Sequence, residues 1–217
     1  MTMASSLLDF TLSIISFTLS PGMDTALTLK MSFSGRKAGF GAVSGICTGL
    51  LLWGVIAALG LTILLDNCKP LYVGLEWAGA LYLSWLGIST IWKTFRRPSQ
   101  GADITLIKGR DCFRAGFAAG LTTDLLNPQV GLFVMTFFPQ FIPAKASFLG
   151  RLSFYGTLTA INAGICFVWL ALLVMMSSTL GRFIESPRVA MWLERVAGLV
   201  FLYYGLKIIW PFLTPMT

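Results

Sequence analysis

Two stretches of this chain carry no charge at all: Ala38 to Leu65, 28 residues, and Leu152 to Gly181, 30 residues. An apolar helix needs about 20 residues to cross a bilayer, so each run is long enough to span. Charged residues make up only 12% of the 217 positions, against about 25% in a typical soluble domain. The chain reads as an all-α integral membrane protein rather than a soluble enzyme with a rich core. It contains no histidine, which removes His-ligated metals, Ser–His–Asp triads and imidazole proton relays.

The four cysteines add no metal or disulfide framework. Cys47, Cys68, Cys112 and Cys166 show no CxxC spacing. Cys47 and Cys166 lie inside apolar runs and read as small hydrophobes, while Cys68 and Cys112 fall at opposite membrane faces in the topology below. No cofactor motif is present. The N-terminus, Met-Thr-Met-Ala-Ser-Ser-Leu-Leu-Asp, lacks the basic region of a cleavable signal, so its apolar stretch is expected to remain as a span.

Six spans are expected, at about 6–33, 38–65, 71–93, 113–141, 147–180 and 189–212. The longest connection, about 94–112, is polar and contains Pro98-Ser99-Gln100-Gly101; it is the one plausible linker. With the N-terminus outside, the inner connections and their flanks hold twelve of the sixteen basic residues: Lys30, Arg36, Lys37, Lys93, Arg96, Arg97, Lys108, Arg110, Arg114, Arg182, Arg188 and Arg195. The outer side holds four, Lys69, Lys145, Arg151 and Lys207. Basic residues collect on the cytoplasmic side, which predicts N-out and C-out. The net charge of +7 then reflects topology, and no nucleic-acid partner is implied.

The two halves of the chain resemble each other. At a shift of 118 residues Glu76, Leu81, Gly87, Ile91 and Trp92 align with Glu194, Leu199, Gly205, Ile209 and Trp210. Span one is interrupted by Ser20-Pro21-Gly22 and span four by Asn127-Pro128. Each half thus has three spans and starts on a broken one. A repeat with an odd number of spans enters the membrane in opposite senses. The expectation is a single transporter domain over 1–217, with inverted repeats at about 6–93 and 113–212 joined by the 94–112 linker. Paired broken helices in inverted repeats point to a substrate site near mid-membrane.

A mid-helix proline removes a backbone donor and clashes with the carbonyl four residues back. Broken backbone survives in a membrane only when buried in protein or lining a watery cavity. Asp24 lies three residues after Pro21, and Asp124 four before Pro128. A charge at mid-membrane costs about 2.5–3.5 kcal/mol on insertion scales, so such residues face a cavity or a partner. One reading is a polar transport site, in which half-helix ends and an Asp bind a small zwitterion. The other is local: Asp24 caps the second half-helix and Asp124 satisfies nearby backbone donors. Function is favoured for Asp24; for Asp124 both readings stand. Because histidine is absent, a carboxyl group is the side chain left to carry a proton.

Gly41, Gly45 and Gly49 repeat every four residues along span two, a spacing that permits close helix packing. Asn162 is an amide within the charge-free span five and either lines the cavity or bonds a neighbouring helix. Trp53 and Trp169 are expected to pack. Trp77, Trp92 and Trp210 suit the interfacial aromatic belt, and Glu76 and Glu194 suit helix N-termini.

Ser20-Pro21-Gly22-Met23-Asp24 resembles the S-P-G-P-[ND] motif of the LysE/RhtB superfamily of amino-acid exporters. Gly35-Arg36-Lys37-Ala38-Gly39, Gly45-Ile46-Cys47-Thr48-Gly49, and the Trp77 to Gly87 segment are also similar to that family. So are Phe138-Pro139-Gln140-Phe141 and Gly120 to Gln129, the latter matching G-L-x-T-N-L-x-N-P-K. The resemblance runs from about residue 7 to 211 and is nearest to the threonine/homoserine branch. It implies proton-coupled efflux of a small amino acid across the bacterial cytoplasmic membrane, with Pro21, Gly22, Asp24, Asn127 and Pro128 on the family's motifs. Three positions depart: Met23 replaces proline, Asp124 replaces asparagine and Gln129 replaces lysine.

The expected site therefore comprises Pro21, Gly22, Asp24, Asp124, Asn127, Pro128, Gln129 and Asn162, with amino acid and protons as partners in a lipid bilayer. Glycine-spaced faces leave room for a homo-oligomer. Two other classes remain open: an intramembrane enzyme built on an Asp24/Asp124 pair, and a non-transporting membrane scaffold.

Overall fold

A computed structural model of the chain describes residues 3–96, 112–143, 146–176 and 187–213, and every regular element among them is helical. Two helices form a bent pair, α1 (Met3–Leu19) and α2 (Met23–Ser34); α3 (Arg36–Asn67) and α4 (Lys69–Arg96) follow. A second broken pair is α5 (Phe113–Leu125) and α6 (Pro128–Phe137), the latter running into a short 3-10 turn at Phe138–Phe141. The long α7 (Phe148–Met175) and α8 (Pro187–Leu213) complete the set. Residues 97–111 of the expected 94–112 linker lie outside the described residues, as do Lys145, Arg182 and the end of span five.

Arg36–Leu64 and Phe148–Met175 are each long and apolar enough to cross a bilayer, and the pair Ser6–Leu19 and Met23–Ser34, bent by 53°, makes a third candidate. The bend has a local cause. Pro21 cannot donate to the carbonyl of Phe17, and Ser20 N–H takes that carbonyl instead at 3.1 Å, tightening the last turn. The chain restarts at Gly22, whose carbonyl accepts from Ala26 N–H at 3.0 Å. Between α2 and α3 a single residue, Gly35, reverses the chain at φ 146° and ψ 156°, backbone space essentially closed to residues with a Cβ. Asn127 restarts the second broken helix: its Oδ1 accepts from Gln129 N–H at 3.0 Å, and Pro128 occupies the first helical position, where a missing N–H costs nothing.

Packing fixes the direction of each helix. α3 and α5 run parallel in close contact: Gly41 meets Phe113, Gly45 meets Phe117 and Gly49 meets Asp124, while Gly116 and Gly120 meet Ala38 and Ala42 in return. A methyl group at Gly41, Gly45, Gly116 or Gly120 would overlap main-chain atoms of the partner helix, so small residues are what let these backbones approach. α7 runs antiparallel to α3, with Gly39 against Val174 and Gly54 against Thr159. α8 runs antiparallel to α4, with Gly87 against Leu202 and Gly205 against Ser84. One end of the molecule accordingly holds Gly35, the end of α4 and the start of α5 and α8, together with Lys30, Arg36, Lys37, Arg114, Arg188 and Arg195; we call it the basic end. Cys112 lies there and Cys68 at the opposite end, and all four cysteines are free.

The helices divide into two bodies. α2, α3, α5 and α7 pack on one another, whereas α4 and α8 pack chiefly on each other. This α4–α8 arm meets the broken helices through α1 and α6. The junction is aromatic. Phe10 stacks on Phe137 at 5.9 Å, ring centre to ring centre, and meets Phe138 and Phe141 edge-to-face at 5.2 and 5.1 Å, while the Tyr204 ring of α8 lies edge-to-face 4.7 Å from Phe137. Ser13 Oγ and the Tyr204 hydroxyl share a hydrogen bond of 3.0 Å beneath them. These residues are buried and fill the end opposite the basic one.

Candidate functional site

Between the two bodies lies a cavity of about 210 Å³ into which both helix breaks open. One wall is the first break: Ser20, Pro21, Gly22 and Asp24. The adjoining wall is the second break and α7: Asn127, Gln129 and Asn162. Thr90 of α4 and Glu194 of α8 form the facing wall, and Phe17 and Phe201, 5.4 Å apart, lie where the cavity meets the aromatic junction. Six of the eight residues expected at the site therefore line one space.

Each break presents backbone to this space. The N-cap of α2 is Gly22, which has no side chain to bond the first-turn N–H groups, and Asp24 does not supply a cap. A helix start without a side-chain cap retains donors and a partial positive charge. The Oδ1 atom of Asp24 is buried without a hydrogen-bond partner among the described residues. Its local reading as a cap thus finds no bond. The cavity walls contain two carboxyl groups, Asp24 and Glu194, three amides, and neither lysine nor arginine among the described residues. The Gln129 position, lysine in the resembled motif, is what removes the cation.

Asp124 departs from the expected site. It is fully buried and its carboxyl group packs against Gly49 of α3 rather than lining the cavity. Neither oxygen has a hydrogen-bond partner among the described residues, so it does not satisfy local donors either. The reason is the parallel α3–α5 contact, which turns this face of α5 towards α3. Pro128 also stands outside the cavity wall, exposed at the first position of α6. An aspartyl pair acting from one site would need both carboxyl groups in the same space; only Asp24 lines it.

Three contributors were not legible in the sequence. Glu194, expected to serve a helix N-terminus, is seven residues past Pro187 and faces the cavity. Thr90 had no distinguishing feature beyond its polarity. Trp53, expected to pack, also bonds: its Nε1–H donates to the Asp124 carbonyl at 3.3 Å, which also accepts from Asn127 N–H at 3.2 Å, and its ring covers Gly131 on α6.

Known proteins share this arrangement of sequence. The chain is 25% identical over 206 residues to a protein named threonine efflux protein from Salmonella typhimurium, covering 94% of this chain and 98% of that one. A protein named leucine efflux protein from the same organism is 28% identical over 192 residues, 88% of each chain. Uncharacterized membrane protein YrhP of Bacillus subtilis is 25% identical over 193 residues, 86% of this chain and 90% of that one. No solved structure matches. Long apolar helices and full-length membrane relatives make this a multi-pass membrane protein. The model of the family described as LysE type translocator extends over residues 15–210, through both helix breaks and the arm that faces them, and the chain belongs to that family.

Proposed function

We propose that the protein exports a small amino acid across the bacterial cytoplasmic membrane in exchange for protons. The observation that carries this reading is the convergence of both helix breaks, Pro21-Gly22 and Asn127, with Asp24 on one cavity. A membrane protein tolerates broken backbone where it lines such a space, and half-helix ends there suit the two charges of an amino acid. Relatives named for threonine and leucine efflux support the substrate class.

In this reading the chain is one transporter domain of six spans, with broken spans one and four, in two inverted repeats, N-out and C-out. The helix directions support it: α1–α2 and α5–α6 enter from opposite ends, and the basic end gathers the cations that mark a cytoplasmic face. The aromatic junction then lies on the outer side, and the cavity is held between α2 and the arm on the inner side. Asp24 is the proton carrier, Pro21, Gly22, Asn127, Pro128 and Gln129 shape and line the binding backbone, and Asn162 contributes an amide.

Uptake of labelled threonine and leucine into inverted vesicles tests this. Uptake driven by a proton gradient and abolished by a protonophore is expected. Uptake no greater than in vesicles without the protein, across a panel of amino acids, would overturn it.

A further inference from the structure

The exchange just described uses none of the cysteines, yet two of them meet inside the molecule. α3 and α7 run antiparallel, with Gly39 against Val174 and Gly54 against Thr159. That register brings Cys47 opposite Cys166: each lies eight residues in from the first of these contacts and seven from the second. The side chains agree. Cys47 Sγ donates to the Ala163 carbonyl of α7 at 3.7 Å, in the turn that leads to Cys166, and the Cys166 thiol is hydrogen-bonded to Cys47. Neither is in a disulfide.

Cys166 also stands on the cavity wall, one turn from Asn162 on one side and one turn from Leu170 on the other, both of which line the same space. The thiol pair is thus open to a small solute that enters the cavity.

Two thiols are soft ligands. Among the described residues no three His, Cys, Asp or Glu side chains are grouped to hold a metal, so the four ligands of a structural zinc are not present. Two opposed thiols alone satisfy a soft cation of linear coordination. The surroundings decide its charge. Asp24 and Asp124 are the charged neighbours of the pair, and uncompensated charge inside a membrane protein is costly. A monovalent cation on two thiolates leaves a negative complex beside these carboxyl groups; a divalent one leaves a neutral complex.

We propose that Cys47 and Cys166 form a binding site for a soft divalent cation of linear coordination, of which the mercuric ion is the type. The cation forms one bond to each sulfur, both S–H bonds break, and the two protons leave to water in the cavity. The neutral complex bridges α3 to α7.

The test loads purified full-length protein with mercuric chloride, washes it with excess 2-mercaptoethanol and measures mercury per chain by elemental mass spectrometry. Wild type should keep one ion per chain, because two thiolates held opposite each other outcompete free thiols. Methylmercury, which takes a single thiolate, should be stripped from the same protein. Cys47→Ser and Cys166→Ser should each hold the mercuric ion more weakly by about a hundredfold or more. Cys47→Ala and Cys166→Ala serve if a serine variant fails to fold. Cys68→Ser combined with Cys112→Ser, at opposite ends of the molecule, should retain the ion as wild type does. Mercuric ion stripped from wild type as readily as methylmercury overturns the proposal. So does full retention after loss of either Cys47 or Cys166, or loss of retention in the Cys68/Cys112 variant.

Discussion

Trp53 of α3 donates its indole N–H to the main-chain carbonyl of Asp124 at 3.3 Å, and its ring lies on Gly131 on the far side of the break. One side chain thus spans the gap in the second broken helix. Replacing it with phenylalanine keeps an aromatic ring but leaves the carbonyl with a single donor, Asn127 N–H at 3.2 Å. Loss of one neutral hydrogen bond costs about 0.5–1.5 kcal/mol. Trp53→Phe should therefore unfold at a lower temperature in detergent, and exchange should slow because the break that shapes the cavity is less well fixed. Unchanged melting and exchange would show that the bond holds nothing.

Gly49 sits directly under the Asp124 carboxyl group. A methyl there overlaps the side chain, which has little room to withdraw because it is fully buried. Overpacking of this kind costs about 1–3 kcal/mol. Gly45→Ala meets main chain of α5 instead, so it should destabilise more than Gly49→Ala. The order of the two melting temperatures checks the geometry, and Gly49→Ala combined with Asp124→Ala should recover part of the loss.

Asp24 and Asp124 each flank a helix break, yet only Asp24 lines the cavity. Their asparagine variants should separate accordingly. Asp24→Asn is expected to lose proton-driven uptake while retaining exchange of labelled for unlabelled amino acid, because binding backbone remains and the titrating group is gone. Asp124→Asn is expected to keep gradient-driven uptake and to alter stability. Vesicle uptake with and without a proton gradient distinguishes them; equal behaviour of the two variants would remove the division of roles.

What the sequence disclosed, and what it withheld, follows from the kind of signal each residue carries. Pro21, Gly22, Asn127 and Pro128 act on their own backbone, so the breaks are visible locally. Charge-free runs mark α3 and α7 for the same reason. The facing of a side chain is decided by which helix packs beside it. Asp124 is turned to α3 by contacts between residues more than sixty positions apart, Gly41 with Phe113 and Gly45 with Phe117. Glu194 reaches the cavity because α8 begins two turns before it, at Pro187, where its role at a helix start had been expected.

Gly35 should be intolerant of any side chain. Its φ of 146° and ψ of 156° belong to glycine, and strain of this kind costs about 1–3 kcal/mol. The turn it makes also sets where α2 ends and α3 begins, and hence how Asp24 is presented across from the arm. Gly35→Ala is expected to lower the melting temperature, and any folded fraction should show altered uptake. Gly60, which has open space around its Cα, is the control: Gly60→Ala within α3 should be neutral or slightly stabilising, since alanine favours helix over glycine by about 1 kcal/mol.

The Ser13–Tyr204 bond of 3.0 Å ties α1 to α8 beside the stacked phenylalanines, at the end where the arm meets the broken helices. Tyr204→Phe keeps the edge-to-face contact of the ring with Phe137 and removes the hydroxyl. A neutral hydrogen bond contributes about 1 kcal/mol net, which corresponds to about a fivefold change in a two-state equilibrium. If this junction is the outer gate, its weakening should favour the state in which it opens. A cysteine at Phe141, in protein stripped of its native cysteines, should react faster with a membrane-impermeant thiol reagent from outside when Tyr204→Phe is present. The rate should rise by about fivefold, and amino acid supplied at the inner face should change it further. Equal labelling in both backgrounds would mean that the aromatic junction is permanent packing and that the arm opens elsewhere.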